Sequence, residues 1–312
     1  MTTTDTYRLV TRSDFDGLVS AVLLKDLGMV DEIKFVHPKD MQDGKVEITG
    51  RDITTNLPYV EGVHLAFDHH ASEYDRLKDS MPDSFVVVPQ ADSAARVVYD
   101  HFGGKEKFPG ISEEMLAAVD KGDSARFERN EILNPRGWVL LHCIMDARTG
   151  LGRFRDFRIS NYKLMMDLID YCKDHTIEEI LELPDVKERV DLYFSHQDKF
   201  KEQVERCVTV HGNLVVLDLR QEEVIYAGNR FTIYALFPDC NISIHVIWGL
   251  RKQNTVFAMG KSIFNRTSNT NVGKLCAANG GGGHRNAGTC QVDNDKADES
   301  LKEIVAAITT DG

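Results

Sequence analysis

In the N-terminal part of the chain, apolar residues come in short continuous runs separated by longer stretches with helical spacing. YRLVT (7–11), EIKFVHP (32–38), VHLAFD (63–68) and SFVVVP (84–89) read as strands. GLVSAVLLKDLG (17–28), SAARVVYDHFG (93–103) and SEEMLAAVDKGD (112–123) read as helices, the first two closing on glycine. Strands apolar on both faces, alternating with helices, predict a parallel sheet covered on both sides. From about 137 to 207 the spacing is helical throughout: GWVLLHCIMDA, NYKLMMDLIDYCKD, IEEILEL, and the long polar run VKERVDLYFSHQDKFKEQVERC. That last run suits a partly exposed linking helix. Strands return in NLVVLDL, NISIHVIWGL and NTVFAMGKSIF, followed by a short helix VGKLCAANG, a glycine run, and a terminal helix ADESLKEIVAAITT. The expected organisation is an α/β fold: a parallel-sheet domain over 1–185, a helical linker over 186–207, and a smaller α/β domain over 208–312.

Composition narrows the partners. The chain has 312 residues and a formal charge of −12, which argues against binding long duplex nucleic acid through a broad basic face. A short anionic substrate remains compatible, because a metal or a local arginine cluster reverses the sign inside one cleft. The six cysteines, at 143, 172, 207, 240, 276 and 290, form no CxxC pair. Reduced thiols in a cytoplasmic protein fit that spacing better than a disulfide framework or zinc knuckle. The polar start MTTTDTYR has no signal-peptide core, and no apolar run reaches membrane-spanning length, so no membrane partner is expected. Homodimerisation is left open.

The chemistry concentrates where strands end, as expected for parallel sheets. Asp14 and Asp16 in VTRSDFDGLVSAVLL sit between the first strand and first helix. Two like charges there repel unless a cation lies between them. EITGRDITTNLPY puts Asp52 at an expected strand-to-loop junction, VHLAFDHHASEY ends a strand with Asp68, His69 and His70, and EEMLAAVDKGDSARF carries Asp120 and Asp123 near a helix end. Alone, each piece has an ordinary reading as a turn, loop or solvated residue. Together they form an oxygen-rich set with one or two imidazoles, which suits manganese or magnesium. Several carboxylates able to bridge suggest two ions about 3.5–4 Å apart.

In order along the chain, SDFDG, GRDITTNLP, FDHH and VDKGDSARF resemble the four metal-binding motifs of the DHH phosphoesterase superfamily, and CAANGGGGHRNAGTC resembles the glycine-rich signature of its companion DHHA1 domain. The resemblance implies a metal-dependent phosphoesterase acting in a cleft between the two domains. It implies Asp14, Asp16, Asp52, His69 and Asp123 as ligands of two divalent ions, with Asp52 bridging and Asp120 the alternative to Asp123. His70 would lie beside the ligands or touch the substrate phosphate, and Asp68 would orient the imidazoles. Many relatives place a ligating histidine where this chain has Arg12, and a guanidinium cannot ligate. The implied substrate is a short oligonucleotide, dinucleotide or related phosphorylated nucleotide. Polyphosphate hydrolysis, or nucleotide sensing without turnover, are the alternatives.

Residues 280–288, GGGGHRNAG, read as a loop whose backbone amides converge on an anion. Gly281, Gly282, Gly283, His284 and Arg285, with Arg266 upstream, are the expected substrate contacts. RTGLGRFRDFR (148–158) packs four arginines into eleven residues, and reads as a surface or dimer-forming loop balanced by acids, or as a phosphate contact.

Overall fold

The computed structural model describes residues 6–154 and 156–312. Arg155 of the arginine-rich segment and the first five residues of the polar N-terminus lie outside the described residues. The chain divides into two compact units: Met1–Phe127 with Pro135–Ala147 and Leu151–Asp191, and Glu128–Asn134 with Arg148–Gly150 and Leu192–Gly312. The boundary between Asp191 and Leu192 falls within the 24-residue helix Pro184–Cys207.

The first unit holds five strands: β1 (Tyr7–Arg12), β2 (Val30–Val36), β3 (Asp52–Thr55), β4 (Leu65–Asp68) and β5 (Phe85–Val87). They lie in the order β2-β1-β3-β4-β5, every pair parallel. The chain leaves β1 towards β2 and then returns to place β3 on the other side of β1. The strand order therefore reverses between β1 and β3, and the carboxyl ends of these two strands open a crevice. Helix Phe15–Asp26 is buried from Phe15 to Leu24, the pattern of a helix enclosed on all sides. It reaches the strand end so closely because residue 17 is glycine: a Cβ there would stand 2.0 Å from the Arg12 carbonyl oxygen and 2.8 Å from Thr11 Oγ1.

The start of β3 departs from the sequence reading. The alternating stretch before Asp52 resembles a strand, but Val46 and Ile48 lie in a loop and pack on Val10, Met41 and Leu57. Their apolar side chains are satisfied by that packing without ladder pairing. The strand proper begins at Asp52 and ends at Thr55, so the carboxyl end of β3 belongs to Asn56.

The second unit holds six strands: β6 (Val208–His211), β7 (Leu214–Asp218), β8 (Ile242–Trp248), β9 (Thr255–Lys261), β10 (Gly282–His284) and β11 (Ala287–Val292). Their order is β10-β11-β9-β8-β7-β6, antiparallel except between β7 and β8. Ile242, Ile244 and Val246 of β8, with Phe257 and Met259 of β9, pack against helices Val272–Ala278 and Ala297–Asp311. Cys276 and Cys290 belong to this core, and all six cysteines are free thiols. No helix among the described residues is long and apolar enough to cross a membrane.

Candidate active site

The crevice between β1 and β3 is lined from four directions, all within the first unit. Asp14 caps helix Phe15–Asp26, its Oδ1 accepting from the Gly17 amide at 3.0 Å. The other oxygen meets Arg12 Nε at 2.9 Å. Asp16, in the first turn of that helix, is 3% exposed and accepts from the amides of Ala94 and Ala95 at 3.0 and 2.7 Å. Those amides open helix Ala94–His101, whose Ser93 cap turns them towards Asp16. His69 and His70 follow β4. Asp123 comes from the last turn of helix Glu113–Ser124.

One oxygen of Asp16, one of Asp123 and a ring nitrogen of His69 lie within 4.8 Å of one another, as do ligand atoms of Asp68, His69 and His70. His69 Nε2 is 2.7 Å from Asp123 Oδ2, while Nδ1 faces the Ala91 carbonyl at 3.2 Å. With Nδ1–H committed to that carbonyl, Nε2 is the nitrogen presented to the acids. Asp68, 1% exposed, accepts from the His69 amide at 2.9 Å and from His70 Nδ1 at 2.7 Å. Its Oδ2 is buried without a hydrogen-bond partner.

The electrostatics are strained. Burial, then the charges of Asp123 and Asp14, push the Asp16 carboxyl up to about 8. Burial works to lower the His69 imidazole, but the Asp123 carboxylate outweighs it and raises it to about 9. The Asp68 hydrogen bond raises His70. Burial would raise Asp123; His69, and at longer range Arg12, hold it low instead. A carboxylate forced towards protonation beside two others, an imidazole nitrogen fixed towards them and an orphaned buried carboxylate oxygen together fit a divalent cation.

Three expected residues do not join the cluster: Asp14, which stands beside it on Gly17 and Arg12, Asp52 and Asp120. Asp52 stands in register with Arg8, at the amino end of the strands, whereas Thr55 stands opposite Thr11. The strand rise puts it roughly 13 Å from Asn56 along β3. There it accepts from Arg8 Nε (2.6 Å) and Nη2 (3.0 Å), and from the Thr49 amide (2.6 Å) and hydroxyl (3.1 Å). An ion-bridging role for Asp52 is therefore corrected by the register. Asp120 is held by Ser93 at 2.7 Å and by Arg96 at 2.6 Å, clamping two helices together. At the carboxyl end of β3 stands Asn56, 2% exposed, its Nδ2 3.5 Å from Asp14 Oδ1 and its Oδ1 buried without a partner. Sequence reasoning missed Asn56. The β-branched run Ile53-Thr54-Thr55, followed by the turn-forming Asn-Leu-Pro, was the available signal.

In the second unit the glycine run forms a hairpin rather than a loop. β10 and β11 pair with His284 opposite Ala287, leaving Arg285 and Asn286 as the turn. The glycines are required by packing. A Cβ on Gly281 would stand 2.1 Å from the Thr289 carbonyl oxygen, and one on Gly283 would stand 2.4 Å from that of Ala287. The Gly280 and Gly281 amides donate to Ala277 and Cys276, so they do not converge on an anion. His284 and Arg285 are exposed. Lys261 is lowered by burial and by the neighbouring charge of Arg285, so cationic groups crowd this hairpin. In the arginine-rich segment, Arg158 lies 3.6 Å from Asp185, and its amide donates to Glu188. Buried Arg189 stacks on Phe157 at 4.1 Å, and the segment is thereby tied to the acids of helix Pro184–Cys207.

No family model matches the chain. A pGpG-specific phosphodiesterase, PggH from Vibrio cholerae, is 60% identical, with a TM-score of 0.87, over 98% of this chain and 100% of its own. This chain itself carries the ordered acidic and histidine motifs and the GGGGHRNAG hairpin. This chain belongs to the DHH–DHHA1 phosphoesterase superfamily. A likeness of fold alone extends to CDC45 from Entamoeba histolytica: TM-score 0.51 and 9% identity over 98% of this chain and 95% of that one. Among curated proteins, the A-adding tRNA nucleotidyltransferase of Aquifex aeolicus is 24% identical over 252 residues, 74% of this chain. The chain spans 29% of that protein's length.

Proposed function

We propose that this protein hydrolyses the phosphodiester bond of a small linear dinucleotide of the pGpG type, using a divalent cation, manganese or magnesium. The observation that carries the reading is the 60% identity to a pGpG-specific phosphodiesterase over nearly the whole chain. Asp16, His69 and Asp123 hold the cation, with Asp14 beside them. When bound, the cation supplies a Lewis acid and a water of lowered pKa at neutral pH.

The residues around it supply position and charge. Asp68 fixes the His70 ring through Nδ1, and His70, its side chain 33% exposed, is assigned to a phosphate oxygen of the substrate. Ala94 and Ala95 hold the Asp16 carboxylate in place through their amides. His284, Arg285 and Arg266, carried by the second unit, are assigned to substrate binding. Gly281, Gly282 and Gly283 shape that hairpin rather than bind through their amides. The free thiols agree with a cytoplasmic setting.

The test is incubation of the purified protein with pGpG and manganese, following GMP by chromatography. Release of GMP that stops on chelation is expected. Saturable binding of pGpG with no product would leave a nucleotide sensor instead. Comparable or faster phosphate release from polyphosphate would move the reading to phosphoanhydrides.

A further inference from the structure

Two adjacent cations repel each other, so a close pair needs anionic ligands between and around them. Two positions in this centre depart from that requirement. At the carboxyl end of β3, where the crevice is open to both neighbours, the side chain is the neutral Asn56. Its Nδ2 faces Asp14 Oδ1 at 3.5 Å, so its single acceptor oxygen is what remains for a ligand. The carboxylate of this strand, Asp52, is committed to Arg8 and Thr49 at the opposite end. At the end of β1, Arg12 places its Nε 2.9 Å from Asp14 Oδ2.

Both oxygens of Asp14 are thus engaged: Oδ1 by the Gly17 amide and Asn56, Oδ2 by Arg12. Two sets of atoms converge within 4.8 Å, those of Asp16, His69 and Asp123 and those of Asp68, His69 and His70, and Asp14 belongs to neither. His69 is common to both sets, and in the second Asp68 Oδ1 is already bonded to His70 Nδ1 at 2.7 Å. Arg12 carries a permanent positive charge at the position where a second cation would otherwise neutralise Asp14. Its planar fork offers five N–H donors, and one is committed to Asp14 by the geometry above. The others match the oxygens of a phosphate in shape and charge.

We infer that this chain binds a single divalent cation, at Asp16, His69 and Asp123, and that the Arg12 guanidinium, fixed on Asp14, replaces the second ion. This rests on the cation centre proposed above. Asn56 is the positioning residue that keeps Asp14 turned towards Arg12, and its neutrality removes the bridge a second ion would need.

The experiment is manganese binding without substrate, by equilibrium dialysis and electron paramagnetic resonance. It uses the wild-type protein, Arg12→His, Asn56→Asp and the double variant. One manganese per chain with an uncoupled spectrum is expected for wild type. Two per chain with an exchange-coupled spectrum is expected for the double variant, since it restores an imidazole ligand and a carboxylate able to bridge. Two coupled ions in wild type would overturn the inference while leaving the cation centre intact. No manganese bound by wild type would instead overturn the centre itself. One ion in a double variant of unchanged circular dichroism would show that Arg12 and Asn56 are not what excludes the second. The wild-type stoichiometry decides the main point even if a variant fails to fold.

Discussion

Asp52 and Asp16 are both almost wholly buried, both next to one parallel sheet, and both acidic residues in motifs that suggest metal binding. Their surroundings are opposite. Asp52 receives four hydrogen bonds from Arg8 and Thr49. Burial would raise its carboxyl, but Arg8 and the Thr49 donors overcome this and hold it below 3.8. Asp16 receives two backbone amides and faces two other carboxylates, and burial drives it up to about 8. A buried charge whose partners are all supplied by the fold is structural. A buried charge left in conflict with its neighbours either takes up a proton or is met by a cation from outside the chain.

The largest effect should come from Asp16→Asn. Loss of one anionic ligand is expected to cut dinucleotide turnover about 10³-fold, equivalent to about 4 kcal/mol. Asp52→Asn should stay within about threefold of wild type in kcat/KM. Equal losses in the two variants, measured with saturating manganese, would erase the distinction.

Stability should respond in the reverse sense. Asp52→Asn leaves Arg8 facing an amide across a part-buried pair, and should lower unfolding stability by about 2–4 kcal/mol at pH 7. Because the folded-state pKa of Asp52 is depressed, its contribution is fully present above 3.8 and is lost as pH falls through the lower folded value. Urea unfolding of both forms at pH 7 and under acid conditions checks this: the gap between them should narrow on acidification.

A third test extends the contrast to the hairpin. His284→Ala and Arg285→Ala should each raise KM for a dinucleotide about 10–100-fold, as loss of a charged hydrogen bond worth about 1.5–3 kcal/mol implies. Hydrolysis of a minimal chromogenic phosphodiester should change little, since a truncated substrate makes no use of remote contacts. Gly283→Ala should show mainly as lost thermal stability, given φ of 151° and the 2.4 Å approach of its Cβ to Ala287. Equal loss on both substrates for His284 and Arg285 would put them at the reaction centre.

The smallest effect is a proton linkage. Without cation, Asp16 and His69 hold protons up to about 8 and about 9, so a cation must displace them at lower pH. Manganese affinity should therefore rise with pH, by about tenfold per unit for each proton displaced, and level off once both groups have lost theirs. Titrations at pH 6, 7, 8 and 9 measure the slope, and a flat profile would mean that neither proton is displaced.

Much of the fold was legible in the residues. The continuous apolar strands and enclosed first helix specified the parallel sheet because each run fits only one period and one burial pattern. The glycine run was located correctly but misread as a loop. Its first amides are used by the preceding helix, and contacts with Thr289 and Ala287 explain why side chains are excluded. That partner strand, Ala287–Val292, is short and was not recognised from its own pattern.

By itself, the sequence determined the α/β alternation, the ordered acidic and histidine motifs, and an arginine at position 12 beside them. These depend on residue type and local period, which the chain states directly. Only the tertiary structure decided which carboxylates meet. A residue's place along a strand sets the end of the sheet it occupies, and that depends on where pairing begins. Starting β3 at Asp52 sends that carboxylate to Arg8 and brings Asn56 to Asp14, a difference of about four residues in register that separates a structural ion pair from a candidate catalytic centre.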